Sequence, residues 1–111
     1  MANTIDVIPL RSFRKAAKKL FSEAELAALT EFLGSNPEKG DVIAGTGGLR
    51  KLRWALAGRG KRGGSRVIYY YHRPEWQVLL LTAYAKSEQE DLSEREKKLL
   101  SARIKEIIEQ E

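Results

Sequence analysis

Apolar residues near the start of the chain recur at helical spacing. Leu10, Phe13, Ala17 and Leu20 follow Pro9, whose fixed φ suits a first helical turn, and they predict a helix over residues 10–20. Ser22-Glu23-Ala24-Glu25 has the form of a capping box, and Leu26, Leu29, Phe32 and Leu33 supply the apolar stripe behind it. Gly34 and Pro37 are expected to stop this second helix. Near the other end, Ser93 and Glu96 repeat the capping pattern. Leu100, Ile104 and Ile107 then line one face of a helix running nearly to Glu111.

Between the helices the period changes to two. Leu52, Trp54 and Leu56 alternate with Lys51, Arg53, Ala55 and Ala57, as in a half-buried strand whose basic residues share one face. Arg66-Val67-Ile68-Tyr69-Tyr70-Tyr71 is rich in β-branched and aromatic residues and predicts a second strand, with the polar, glycine-rich residues 58–64 as its hairpin loop. After an Arg73-Pro74-Glu75 turn, Val78 to Tyr84 is almost continuously apolar, which fits a central strand covered on both faces. A short extended segment around Thr4 to Ile8 is a candidate edge strand. The expectation is an α+β domain spanning residues 1–111, with a hairpin, a central strand and a candidate edge strand, two N-terminal helices and a C-terminal helix. A chain of 111 residues fits one such domain and is too short for two ordinary ones.

Charge sharpens the picture because it is local. From Val42 to Pro74 there is no acidic residue, while Arg50, Lys51, Arg53, Arg59, Lys61, Arg62, Arg66 and Arg73 lie there. Of the net charge of +5 this stretch supplies +8, leaving the rest of the chain at −3. Such a field attracts phosphate backbones and binds them in a salt-dependent way. Cysteine is absent and His72 is the single histidine, so disulfides, thiol catalysis and Cys/His zinc sites are not expected. With no basic leader followed by an apolar core, and no apolar run long enough to cross a bilayer, a soluble, cytoplasmic protein with no membrane partner is expected.

Several motifs lose weight on inspection. Gly45-Thr46-Gly47-Gly48 and Gly58-Arg59-Gly60-Lys61 resemble phosphate loops, but the second has Ala55 and Arg62 where a Walker loop needs glycine and a hydroxyl residue. Neither run leads from a strand into a helix, so a turn and a hairpin loop are expected. His72 sits at a strand end beside Arg73-Pro74 with no second histidine, which fits a structural role better than general-base chemistry. Glu88, Glu90, Asp91, Glu94 and Glu96 read as charges complementing a helix N-terminus rather than as metal ligands. The basic hairpin is stronger. Period two puts Lys51 and Arg53 on one face, and the neighbouring strand brings Arg66 close. Cleaving RNA through attack of the ribose 2′-hydroxyl requires proton removal, charge stabilisation on the phosphorane and protonation of the leaving oxygen, and none of these requires a metal or a cofactor. Arginine clamps phosphate oxygens, a lysine crowded by cations exchanges protons more readily, and tyrosines stack unpaired bases.

The runs Gly40-Asp41-Val42-Ile43, Gly45 to Arg53, Gly60 to Tyr70 and Thr82 to Glu88 closely resemble the RelE superfamily of type II toxins, HigB-like members in particular, over roughly residues 36–100. The long Gly-Lys-Arg-Gly-Gly-Ser-Arg stretch is the most specific part; the N-terminal helices match in layout alone. The resemblance implies a four-stranded, antiparallel-rich sheet flanked by helices, ribosome-dependent cleavage of translated mRNA, and neutralisation by a cognate antitoxin. That antitoxin is expected to be a small helix-turn-helix protein in a higher-order hetero-oligomer. The family's basic residues carry over to Lys51, Arg53, Arg66 and Lys86 as the catalytic set. Two positions depart from the pattern: Ser87 stands where a basic residue is common, and Ser93 where some members have tyrosine.

From the residues themselves, Arg50, Arg59, Lys61, Arg62, Tyr70 and Tyr84 are expected to contact RNA outside the catalytic set. Two readings stay open: an mRNA interferase, and a non-catalytic RNA- or ribosome-binding module using the same basic face. A third, a domain whose basic patch meets an acidic protein segment, predicts no RNA affinity.

Overall fold

Two amphipathic patterns, of period 3.6 and period two, come together as helices on both faces of a sheet. The structure, a computed structural model, describes residues 5–55 and 64–110. In chain order the elements are β1 (Asp6–Pro9), α1 (Arg11–Leu20), α2 (Glu23–Ser35), β2 (Asp41–Val42), β3 (Leu49–Ala55), β4 (Gly64–His72), β5 (Gln77–Ala85) and α3 (Glu94–Glu109). A short 3-10 turn over Arg73–Glu75 joins β4 to β5.

Among the described residues the sheet has five strands in the order β1-β5-β4-β3-β2, against the expected four or so. The additional strand is the two-residue β2, whose Asp41 and Val42 pair with Lys51 and Arg50, too short to leave a period in the sequence. The Thr4 to Ile8 segment does form an edge, as β1, but it runs parallel to β5 while the other pairings are antiparallel. Pro9 closes that strand instead of opening a helix; its missing N–H is tolerated at an edge. α2 likewise runs through Gly34 to Ser35 before Asn36 caps it. Both capping boxes form as the sequence predicts: Ser22 with Glu25 and Ser93 with Glu96 exchange bonds of 2.8 and 3.1 Å.

Alternation sorts the sheet residues into two cores. On one face Leu52, Val67, Tyr69, Val78, Leu80 and Ala83 pack under Phe13 and Ala17 of α1 and Leu29 and Leu33 of α2. On the other, Leu49, Ile68, Leu79, Leu81 and Tyr84 pack under Ile104, Leu100 and Ile107 of α3 and under Leu92 before it. β5 is buried nearly throughout, as its apolar run implies. A bulge where Ile68 pairs with Thr82 but Tyr69 with Leu80 leaves Leu81 as the extra residue, and the alternation changes phase there: Leu79 and Leu81 serve the α3 face while Ala83, two residues on, serves the other. The Gly45–Gly48 run is a turn, with φ of 75°, 75° and 114° at Gly45, Gly47 and Gly48. Thr46 closes it by donating to Ile43 O and accepting from Leu49 N. No described helix is long and apolar enough to cross a membrane.

Candidate functional site

The site follows from register. In the β3–β4 pair Arg53 stands directly opposite Arg66, and in the β4–β5 pair Arg66 stands opposite Tyr84. One row across the sheet therefore reads Arg53, Arg66, Tyr84, on the face toward α3. Directly opposed residues lie roughly 5 Å apart at Cβ, where like charges repel. α3 covers the end of this face that carries Leu49, Ile68 and Leu79, and leaves the arginine end open.

Arg53 is exposed. Arg66 is 9% exposed, and its Nη1 donates to Ser65 O at 3.1 Å. Lys86 follows β5; its backbone N–H reaches Gly64 O at 3.0 Å, which fixes an exposed side chain beside the hairpin. Arg53, Arg66, Lys86 and Ser87 line one open cleft of about 640 Å³, with Trp54, Ala55 and Gly64 completing its wall. A cleft ringed by three cations, with a hydroxyl at its edge, suits an oxyanion such as a phosphodiester.

Lys51 departs from the expectation. It shares the face of Arg53, two residues back, but lines a second cleft of about 350 Å³ with Asp91 and Lys97. Its Nζ donates to Asp91 Oδ1 at 2.5 Å, so its ion-pair partner is an anion 40 residues away, and not cations alone as the sequence implied. That hydrogen bond, together with the charge of Lys51, holds the Asp91 carboxyl below the usual carboxylate range, with Lys97 and Arg66 acting the same way and burial opposing. Asp91 is thus a site residue that sequence reasoning missed. Its position among the acids before α3 signalled only helix-dipole complementarity, and nothing local marks a pairing across so long a separation.

Three of the residues expected to contact RNA lie away from the cationic cleft. Arg50 alternates with Lys51 and so points to the opposite face, where its Nη1 donates to Glu38 O at 3.0 Å and Gly40 O at 2.8 Å. It anchors a loop. Tyr84 is 7% exposed and buried in the α3-side core, so its ring has no open face for a base. Among the described residues its hydroxyl has no hydrogen-bond partner. Burial raises its pKa, Asp91 and Glu96 add to the rise and Arg66 opposes it. Tyr70 lies four residues from Arg66 along β4, about 13 Å at strand rise, half-buried in a cleft near the α3 C-terminus with Thr46 and Ile104. His72 is buried, its ring 6.1 Å from that of Tyr70 and outside the cationic cleft. Arg59, Lys61 and Arg62 lie outside the described residues.

The profile of the family described as "RelE toxin of RelE / RelB toxin-antitoxin system" matches residues 5–110. The chain belongs to the RelE toxin family. Two solved structures share the fold. An arginine-to-alanine double variant of the E. coli toxin RelE in the free state superposes with a TM-score of 0.58 at 16% identity, covering 79% of this chain and 90% of that one. A chain of the toxin–antitoxin complex RelBE2 from Mycobacterium tuberculosis superposes at 0.53 with 21% identity, covering 75% and 99%. With the RelE-like α+β fold in hand, the opposed arginines and Lys86 sit together at one end of the sheet, and Lys51 stands beside them, tied to Asp91.

Proposed function

We propose that this RelE-family chain is an mRNA interferase, a metal-independent endoribonuclease that cleaves translated mRNA on the ribosome and so inhibits translation. The observation that carries the reading is the opposition of Arg53 and Arg66 across β3 and β4. Two facing arginines cost stability unless an anion lies between them, and local rules are broken at functional sites for a reason.

In this reading Arg53 and Arg66 grip the scissile phosphate and neutralise the charge that grows on the phosphorane. Lys86 holds an adjacent phosphate at the rim. The 2′-oxygen bonds to phosphorus as the bond to the 5′-oxygen breaks, leaving a 2′,3′-cyclic phosphate and a 5′-hydroxyl. The Lys51–Asp91 pair handles protons: the carboxylate takes the 2′-hydroxyl proton, and the ammonium gives one to the departing oxygen. A carboxylate of depressed pKa is a weak base but is ionised at neutral pH, so most of the acceleration falls to phosphorane neutralisation by the arginines. No step requires a metal or a cofactor.

The partner proposed for regulation is a cognate antitoxin, a small helix-turn-helix protein that joins the toxin in a hetero-oligomer in the cytoplasm. The family description and the RelBE2 complex support a toxin–antitoxin pairing of this kind. The deciding experiment is induced expression with primer-extension mapping of a translated message. Wild type should arrest growth and create new RNA ends, and Arg66→Ala should lose both. Salt-sensitive ribosome binding without new ends would instead make the chain a non-catalytic RNA-binding module.

A further inference from the structure

Half of α1 is basic. Arg11, Arg14, Lys15, Lys18 and Lys19 are five of its ten residues, it contains no acid, and all five are exposed. At 3.6 residues per turn they occupy one arc of about 140°, away from Phe13 and Ala17, which pack onto the sheet. Steps of three and four residues place successive cations roughly 5–6 Å apart along that arc. Among the described residues, none of the five takes part in a salt bridge.

Lys18 and Lys19 suit the dipole in the last turn, but the rest of the pattern works against the helix that carries it. Arg11–Lys15, Arg14–Lys18 and Lys15–Lys19 are like-charge pairs at i,i+4, which destabilise a helix. Arg11 also sits in a first turn that has no acidic residue and no side-chain cap, where a positive charge opposes the helix dipole. Burial of Phe13 and Ala17 requires an amphipathic helix, but it does not require five cations and no anion on the outer face.

We infer that the outer face of α1 is a docking surface for the phosphate backbone of a structured RNA other than the scissile strand. α1 packs on the sheet face opposite the row of Arg53, Arg66 and Tyr84, so one strand would have to wrap the molecule to meet both sets of cations. RNA suits the stripe better than an acidic protein does, because protein interfaces are anchored by buried apolar and aromatic residues and are depleted in lysine, and the stripe offers no apolar side chain. Sequence-independent positioning on phosphates needs only exposed cations. A protein segment remains the rival, since Arg14 and Lys18 also edge an apolar groove of about 450 Å³ between α1 and α2. The inference extends the interferase reading by naming where the ribosome's own RNA is held, and it rests on that reading only for the identity of the RNA.

The test compares the full-length chain with Arg14→Gln/Lys15→Gln/Lys18→Gln, titrating a short RNA duplex and, separately, poly-L-glutamate between about 50 and 200 mM salt. Relief of like-charge pairs should leave the variant at least as stable as wild type in urea, so weaker binding cannot come from misfolding. The expected result is that the log–log salt slope for the duplex becomes shallower by about 3, roughly one per cation removed, while Arg53→Ala alters it by no more than about 1. An unchanged duplex slope overturns the inference, and selective loss of poly-L-glutamate binding overturns it in favour of an acidic protein. If wild type produces no new mRNA ends but the duplex slope still depends on the stripe, the interferase reading fails and the docking surface stands.

Discussion

Arg53 and Arg66 face each other in register, so removing one charge acts on stability and activity in opposite directions. Arg53 is exposed, and Arg53→Ala should leave stability in urea unchanged or raise it by a few tenths of a kcal/mol. Added inorganic phosphate should stabilise wild type more than this variant, because a ligand that binds only the folded state stabilises by mass action. For Arg66→Ala, cleavage of a ribosome-bound message in single turnover should fall about 10²- to 10³-fold, the usual cost of losing one donor to a developing anion. Retained cleavage would remove Arg66 from the mechanism. Tyr84 carries a different prediction. Its buried hydroxyl lacks a hydrogen-bond partner among the described residues, so Tyr84→Phe should raise stability, on the order of 1 kcal/mol. Because burial raises the Tyr84 pKa, the folded state resists ionisation. Wild-type stability should be complete below the normal tyrosine value, about 10, and should decline as pH rises through the raised one. Tyr84→Phe should lack that contribution to the alkaline decline, as urea melts across pH would reveal.

Between elements, the decisive contacts are those with large sequence separation. Tyr69 lies under α1 and α2, and its hydroxyl accepts from Gly40 N and donates to Pro37 O, both at 2.8 Å, tying the chain before β2 to the middle of β4. A Cβ at Gly40 would meet that tyrosine at 2.8 Å, so Gly40→Ala should lose about 1–3 kcal/mol in urea unfolding. The Lys51–Asp91 pair ties β3 to the segment before α3 in the same way. Asp91 has its pKa depressed in the folded state, so its stabilisation is present above the ordinary carboxylate value and is lost as pH falls through the depressed one. Wild type should therefore exceed Asp91→Asn in stability at neutral pH and converge on it in acid; parallel curves would break the assignment. These contacts also mark what the sequence could reveal. Helices α2 and α3 and the face of β3 were legible because caps and periodicity are local signals, and the same periodicity put Lys51 and Arg53 on one face, which Arg66 joins through strand register. β2, the parallel sense of β1 and the pairing of Asp91 with Lys51 were not legible. Each depends on which strand lies alongside or on a partner tens of residues away, and no window of neighbouring residues encodes that.

At the scale of the whole molecule, one sheet serves two cores. β4 contributes Val67 and Tyr69 to the α1–α2 side and Ile68 to the α3 side, so neither core forms without the strand that builds the other. The row of Arg53, Arg66 and Tyr84 crosses β3, β4 and β5, and the cleft lined by its two arginines lies at the end α3 leaves uncovered. Such an arrangement should unfold as one unit. Leu29 of α2 is fully buried in the first core and Ile104 of α3 is 5% exposed in the second, and truncating either to alanine should cost about 2–5 kcal/mol. They share no partner and lie on opposite sides of the sheet, so the double variant should lose the sum of the two to within about 0.5 kcal/mol. Urea titrations followed in parallel by far-UV circular dichroism and tryptophan fluorescence supply the check. Trp54 packs against Phe32 with ring centroids 5.4 Å apart and, in a Trp76→Phe background that removes the second, exposed tryptophan, reports the α2 layer, while the helical signal reports all three helices. Coincident transitions in wild type and both single variants would establish one cooperative unit. If Ile104→Ala unfolds α3 first and leaves the Trp54 signal intact, the layers are separable, and the segment bearing Asp91 would then open without loss of the sheet that holds the arginines.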